Sequence, residues 1–437
     1  MRVEAREPEA AFRLRRGYAA THDPRFRAFP HRNRRVMGRL FHPFELSLSR
    51  ALARSDRRAR ARTTRVPGPF ALRRFAARQG RLMLAWSIVA LSIVWAFTNG
   101  AQDASNAVTT TIVTRVLPER LALAYAAIMN GAGAMFGLVS VVFLHLSLVR
   151  VVGVPEALFD EPRTLGLALA CGLSTAIVCL LIGWWRGIPL SGWVTTLASL
   201  VGAFAGALAD VRQLGGIALL FIPVFIGPLL GFALSFLLTR AVSGLQSKRR
   251  LTAETVRWTQ TLTAGLVAFG HGLSNIRLPL GIVVVAFAGL GEQGTLGSHP
   301  PGPESDGSLG HLLSSHAGMA ALPLWIAVLL SSAMALGTFM GGREIVRTLG
   351  RRLTDLTVSQ GLAAETSTAA LLYTVSVWLG FPMSSSFTIV GSIVGSSLAT
   401  SKKSVAWQVF GRIALWWILT PLACAGLAWG TVVLALP

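Results

Sequence analysis

From Asn99 the chain reads NGAQDASNAVTTTIVTR, directly after the apolar run LMLAWSIVALSIVWAF. A carboxylate in hydrocarbon is costly unless it is paired, ligating or facing water, so Asp103 needs a reason to be there. Asp103 and Asn106 are three residues apart and share a helix face, which continues through Thr110 and Thr114. A carboxylate, an amide and hydroxyls supply oxygen ligands for a hard cation, or a proton relay. A solvated loop is the weaker reading, because apolar residues precede the stretch and a helix is expected soon after it.

Two Pro-Ser turns carry a second kind of chemistry. IPLSGW from Ile188 and FPMSSS from Phe381 each interrupt an apolar run, and each proline removes a backbone donor. The chain is expected to be broken or re-entrant at both places. Ser384, Ser385 and Ser386 would then stand at a half-helix N-terminus, where hydroxyls and free N–H groups bind an anion. Pro-x-Ser is also ordinary helix-capping chemistry, and two copies at equivalent positions favour the functional reading. Glu365, in GLAAETSTAA, is a further acid near the start of an apolar segment. It reads either as a proton carrier or as an interfacial residue at a helix start.

The elements that must position these residues are apolar. Hydrophobic residues make up 52% of the chain and charged ones 14%, where a soluble domain carries about 25% charge. Apolar stretches lie at 82–105, 121–148, 164–185, 188–209 and 215–239, then at 259–290, 317–340, 363–380, 382–400 and 405–436. A basic segment, RAVSGLQSKRRLTAETVRW, divides five from five. STAIVCLLIGWWRGIPLSGWVTTLASLVG from Ser174 aligns without a gap on STAALLYTVSVWLGFPMSSSFTIVGSIVG from Ser367, a constant offset of 193 residues. Trp185/Trp378, Gly187/Gly380, Pro189/Pro382, Ser191/Ser384 and Thr195/Thr388 match, which indicates duplication.

Loop charge suggests that the halves are inverted. RVVGVPEALFDEPRT from Arg150 is slightly acidic, whereas GGREIVRTLGRRLTD from Gly341 holds four arginines against two acids. The basic linker would lie inside with Lys402 and Lys403, and the loop 291–316 outside. The expected fold class is an all-α polytopic membrane protein of two inverted repeats, about five membrane segments each, with a Pro-Ser re-entrant hairpin in each repeat. The expected organisation is an Arg-rich tail at 1–81, repeats at 82–239 and 259–437, and a basic cytoplasmic linker at 240–258.

The net charge of +22 is concentrated in residues 1–81, which hold 22 arginines, no lysine and six acids. The tail reads as a disordered segment or as the product of a start codon assigned upstream of Met83. The inverted scheme places Met83 outside, against the tail's charge. Binding to anionic lipid is the next reading. Nucleic-acid binding is not expected, because zinc spacing and aromatic interleaving are absent. Cys171, Cys179 and Cys424 sit in apolar runs and read as small core residues. No Gly-x-Ser-x-Gly, His-Glu-x-x-His or phosphate-loop motif occurs, so an enzyme is not expected.

NGAQDASNAVTTTIVTR resembles the first signature of the inorganic phosphate transporter (PiT) family. ALGTFMGGREIVRTLGRRLTDLTVSQGLAAE from Ala335 and GFPMSSSFTIVGSIVG from Gly380 are similar to that family's second-half segments. The likeness runs from Met83 to the C-terminus. It implies a symporter that binds phosphate or a related oxyanion between two hairpins near the bilayer midplane, driven by Na⁺ or H⁺, with no other cofactor. By position, Asp103 and Asn106 match the first signature's cation and anion ligands, Ser191 the first hairpin serine, and Ser384, Ser385 and Ser386 the second hairpin triplet. The expected substrate ligands are Asn106, Thr110, Ser191, Ser274, Asn275, Arg277, Ser384, Ser385 and Ser386, and the expected coupling residues are Asn99, Gln102, Asp103 and Glu365. His271 also matches a site position.

The departures are specific. Gln102 replaces an Asn or His. Asn275 stands where a second aspartate is expected, with Arg277 two residues on, and Gly192 and Trp193 stand where hydroxyls are expected. Val194 and Phe387 occupy the places of the family's hairpin histidine. Arg277 could pair with Asp103, serve as a built-in counter-ion for the oxyanion, or simply snorkel to an interface. The expected function is uptake of inorganic phosphate by symport, as a multi-pass protein of the plasma membrane, with a homodimer among the assemblies open to it. A sulfate permease is the nearest rival, and a non-transporting paralogue serving as sensor or partner subunit is another.

Overall fold

A helix needs about 20 apolar residues to cross a bilayer, and the chain makes several of that length. The computed structural model describes residues 69–143, 152, 154–208, 211–214, 221–290, 324–401 and 404–436. Ala77–Pro437 forms one compact unit, and it carries the site. The expectations for residues 1–68, the loop 291–316, Lys402 and Lys403 fall outside the described residues.

The first half supplies α1 (Pro69–Val113), α2 (Glu119–Phe143), α3 (Pro162–Arg186), α4 (Gly192–Ala207) and α5 (Ile222–Ser247). The second supplies α6 (Ala253–Asn275), α7 (Arg277–Gly289), α8 (Leu324–Met340), the short α9 (Arg343–Arg347), α10 (Val358–Leu371), α11 (Ser385–Leu398) and α12 (Trp407–Ala435). α1 starts at Pro69, so residues 69–81, read above as tail, are helical.

Among the described residues, five stretches are long and apolar enough to cross a membrane: α1 from Phe75, α3, α5, the run Ala253–Gly289 and α12. α8 with the segment after it, bent by 47°, makes a sixth. Each of the ten apolar runs therefore meets a helix, but not each is a full span. α4 and α11 have only 16 and 14 residues, because the Pro-Ser breaks consume the rest. α10 loosens into a wider turn over Leu372–Trp378 before the second break.

The two breaks share one geometry. α3 ends at Gly187 with φ +64°, and the chain passes Gly380 with φ +74°, a left-handed conformation that an L side chain would strain. After each proline a serine closes the next helix: Ser191 accepts from the Val194 N–H (3.3 Å) and Ser384 from the Phe387 N–H (3.1 Å). Gly202 of α4 lies against the Ala425 carbonyl of α12, and Gly395 of α11 against the Phe232 carbonyl of α5, each too close to admit a β-carbon. These two contacts are also 193 residues apart at both ends. The helix after each break thus packs on α12 or α5, and Val194 and Phe387, near the starts of α4 and α11, lie in one apolar cluster. Trp417 of α12 stacks on Phe387, with ring centroids 4.2 Å apart, and donates to the Pro189 carbonyl (3.1 Å). The two breaks are joined through that one indole.

Candidate functional site

α1 runs between the two breaks, and its polar residues reach both. Gln102 Nε2 donates to the Ile188 carbonyl in the first (2.8 Å). On the other side Asn106 Nδ2 contacts Ser385 Oγ (3.1 Å) and Ser386 Oγ (3.0 Å), and Ser386 Oγ donates to Asp103. The helical spacing read from the sequence holds directly, since Asn106 Nδ2 also donates to Asp103 Oδ1 (2.9 Å). The other carboxylate oxygen faces His271 Nε2 at 3.0 Å and the Asn99 amide at 3.4 Å. Asp103 is 4% exposed and His271 3%. Each carboxylate oxygen thus meets side-chain donors from more than one direction, which holds the group in place.

A chain of hydrogen bonds orients the histidine. Its Nδ1 meets Asn130 Oδ1 (3.1 Å), the Asn130 amide donates to Thr338 Oγ1 (2.7 Å), and Thr338 donates to the Met334 carbonyl (3.0 Å). α6, α2 and α8 are thereby tied to Asp103. Asn130 and Thr338 were not anticipated. A single amide in IMNGAGAMF and a single hydroxyl in ALGTFM were the only signals available.

Several buried amide oxygens at this place have no hydrogen-bond partner: those of Asn99, Gln102, Asn106 and Asn275. Buried acceptors are rarely left unpaired without a purpose. Amide oxygens beside a carboxylate suit either a hard cation or the O–H of a protonated oxyanion. The serine hydroxyls and the start of α11 suit the anion's other oxygens.

Glu365 forms a separate cluster, one turn further along α1. It is 0% exposed, which excludes the interfacial reading. It accepts from Thr110, from Thr111 (3.4 Å) and from Thr263 of α6 (3.0 Å). Gln260 and Thr114 border it through their mutual hydrogen bond (3.2 Å). Thr111, Thr263 and Gln260 were not predicted, although TQTLTAG places Gln260 and Thr263 three residues apart on one helix face.

The other predicted residues divide. Ser191 and Ser384 spend their hydroxyls on capping, so among the hairpin serines only Ser385 and Ser386 reach α1. Asn275 turns its amide back to the His271 carbonyl (3.0 Å). Ser274 hydrogen-bonds Ser376 of the wide turn after α10, and Arg277 bonds both. Arg277 is buried rather than snorkelling, and it does not pair with Asp103, whose neighbour is the His271 ring. At the far end of α1 a cleft of about 510 Å³ is lined by Arg115, Glu119, Arg343, Arg347 and Asp355. Arg343 pairs there with Glu119 (2.9 Å), and Arg347 with Glu344 (2.5 Å).

Comparison with known proteins bears on the family and the fold. The model of the phosphate transporter family matches residues 99–256 and 244–428. A Mycobacterium bovis protein named "Probable low-affinity inorganic phosphate transporter" is 31% identical over 78% of this chain and 76% of its own length. A Rhizobium meliloti protein of the same name is 30% identical over 77% of this chain and 92% of its own. The solved structure called "The sodium-dependent phosphate transporter" shares the fold, with a TM-score of 0.64 at 18% identity, over 81% of this chain and 99% of that one. These relatives are transporters and not enzymes, and this chain is a multi-pass helical membrane protein that belongs to the phosphate transporter family.

Proposed function

We propose that the protein carries inorganic phosphate across the plasma membrane by proton symport, through alternating access around the two Pro-Ser breaks. The observation that carries this reading is the bonding of Asp103 and Asn106 on α1 to Ser385 and Ser386 at the start of α11. Phosphate would displace those hydrogen bonds, taking the serine hydroxyls as donors and presenting its own O–H to the Asp103 or Asn106 oxygens. Sulfate has no O–H at neutral pH and cannot satisfy these acceptors, which favours phosphate.

The recurring geometry at an offset of 193 residues, and the packing of each hairpin helix on the other half, support two repeats of opposite orientation with a re-entrant hairpin in each. Glu365 supports the proton as coupling ion. Its partners are neutral side chains, and among the described residues no cation lies within ion-pair distance of it, so a proton is what would neutralise it in hydrocarbon. The unpartnered oxygens of Asn99, Gln102 and Asn106 beside Asp103 support a second reading, in which Na⁺ is carried there.

Uptake of labelled phosphate into proteoliposomes, with the pH and Na⁺ gradients imposed separately, tests both. Uptake driven by the pH gradient and resistant to excess sulfate is expected. Uptake driven only by Na⁺ would select the second reading. Sulfate uptake, or none at all, would reject phosphate transport.

A further inference from the structure

Two polar segments of corresponding spacing, one in each half, differ in charge. Asn99-Gly100 and Asp103 on α1 have the spacing of His271-Gly272 and Asn275 on α6. The packing also corresponds: Gly100 lies against the Met334 carbonyl and Gly272 against the Asn130 carbonyl, neither with room for a β-carbon. Where α1 presents a carboxylate, α6 presents a neutral amide, and Arg277 follows two residues later.

Arg277 is 2% exposed. Its hydrogen bonds go to neutral oxygens: Nε to the Ser274 carbonyl (3.2 Å), and Nη2 to the Ser376 carbonyl (2.7 Å), Ser376 Oγ (2.9 Å) and Ser274 Oγ (3.4 Å). Among the described residues no carboxylate lies within ion-pair distance of it. A guanidinium stays protonated in proteins, so this is a permanent buried charge whose own surroundings do not offset it. It stands six residues beyond His271, whose Nε2 is 3.0 Å from Asp103, a helical rise of about 9 Å. In a low-dielectric interior a unit charge acts over that distance.

We propose that Arg277 is a fixed counter-charge for the oxyanion, taking the place of one transported cation, so that phosphate moves with one cation fewer than two acidic halves would require. This rests on the reading of the protein as a phosphate symporter. A merely structural role for Arg277 is also defined by the geometry, since it caps carbonyls at the wide turn after α10. Lysine separates the two, because it keeps the charge and loses the planar fork.

The experiment compares wild type with Arg277→Lys, Arg277→Gln and the double variant Asn275→Asp/Arg277→Gln in proteoliposomes. It reads the KM for phosphate and, from the reversal potential, the charge moved per phosphate. Arg277→Gln is expected to raise KM by about tenfold or more, the scale of a lost charge-assisted interaction, with Arg277→Lys much closer to wild type. The double variant is expected to recover uptake with one further cation per phosphate. Equal KM values for the Lys and Gln variants, or a reversal potential unchanged in the double variant, would overturn the proposal. Wild-type liposomes that take up no phosphate would instead reject the transport reading on which it stands.

Discussion

The two Pro-Ser breaks have one backbone and two chemistries. Each has a left-handed glycine, a proline and a capping serine, at positions 193 residues apart. After Ser384 come two more serines, and both reach the polar face of α1. After Ser191 come Gly192 and Trp193, and the first break meets α1 chiefly through backbone and bulk. The Ile188 carbonyl takes Gln102, and a β-carbon at Gly192 would sit 2.8 Å from the Asn99 amide. Trp95 of α1 fills out the contact by donating to Thr196 (2.7 Å). The second break presents hydroxyl donors to α1, and the first packs as a wall against the helix carrying Asp103. One backbone geometry thus carries two different sets of side chains.

The same asymmetry holds further along the repeat. Glu365, caged by three threonines, is the counterpart of Gly172, which packs against Leu200 and Ala203. Acidic chemistry is therefore concentrated where α1 meets the second-half hairpin and α10.

That division can be broken most severely at its hinge. Asp103→Asn keeps the shape but removes the charge that holds His271 and Ser386. It should lower the initial rate of phosphate uptake about a hundredfold or more, as expected when a buried charged partner is removed from a network. Gly192→Ala should cost about tenfold, because its methyl group must displace the Asn99 side chain that contacts Asp103. Asn99→Ala in the same background should restore part of the loss, which a double-mutant cycle on uptake rates would read.

Ser191→Ala and Ser384→Ala should cost about equally, near 1 kcal/mol of helix capping each, seen as similar small shifts in thermal unfolding in detergent. Unequal shifts would mean that the two breaks are not mechanical equivalents. Glu119→Gln at the arginine-lined cleft should change stability by less than about 1 kcal/mol, because exposed ion pairs are weak, with uptake close to wild type.

Local signals were legible in the sequence because each acts over a few residues. Gly187, Pro189 and Ser191, with their counterparts, fixed where the chain breaks. The spacing of Asp103, Asn106 and Thr110 fixed one face of α1. Long-range pairing was not legible. No periodicity says that α4 packs on α12 or α11 on α5, because the close glycine-to-carbonyl contacts that decide it look like any other glycine in an apolar run. The partners of Asp103 were hidden for a related reason. His271, Asn130 and Thr338 lie on three helices and meet only after packing. The roles of Ser384 and Ser385 could not be separated either, since which hydroxyl caps and which projects depends on where α11 begins.

The most direct measurement is equilibrium binding of labelled phosphate to the purified protein, comparing Ser385→Ala/Ser386→Ala with Thr195→Ala/Thr196→Ala in the first hairpin helix. The account predicts that the serine pair loses affinity by about tenfold or more, the scale of two lost donors, while the threonine pair stays within about threefold of wild type. Equal losses in the two variants, or a larger loss in the threonine pair, would contradict a site built on the second hairpin.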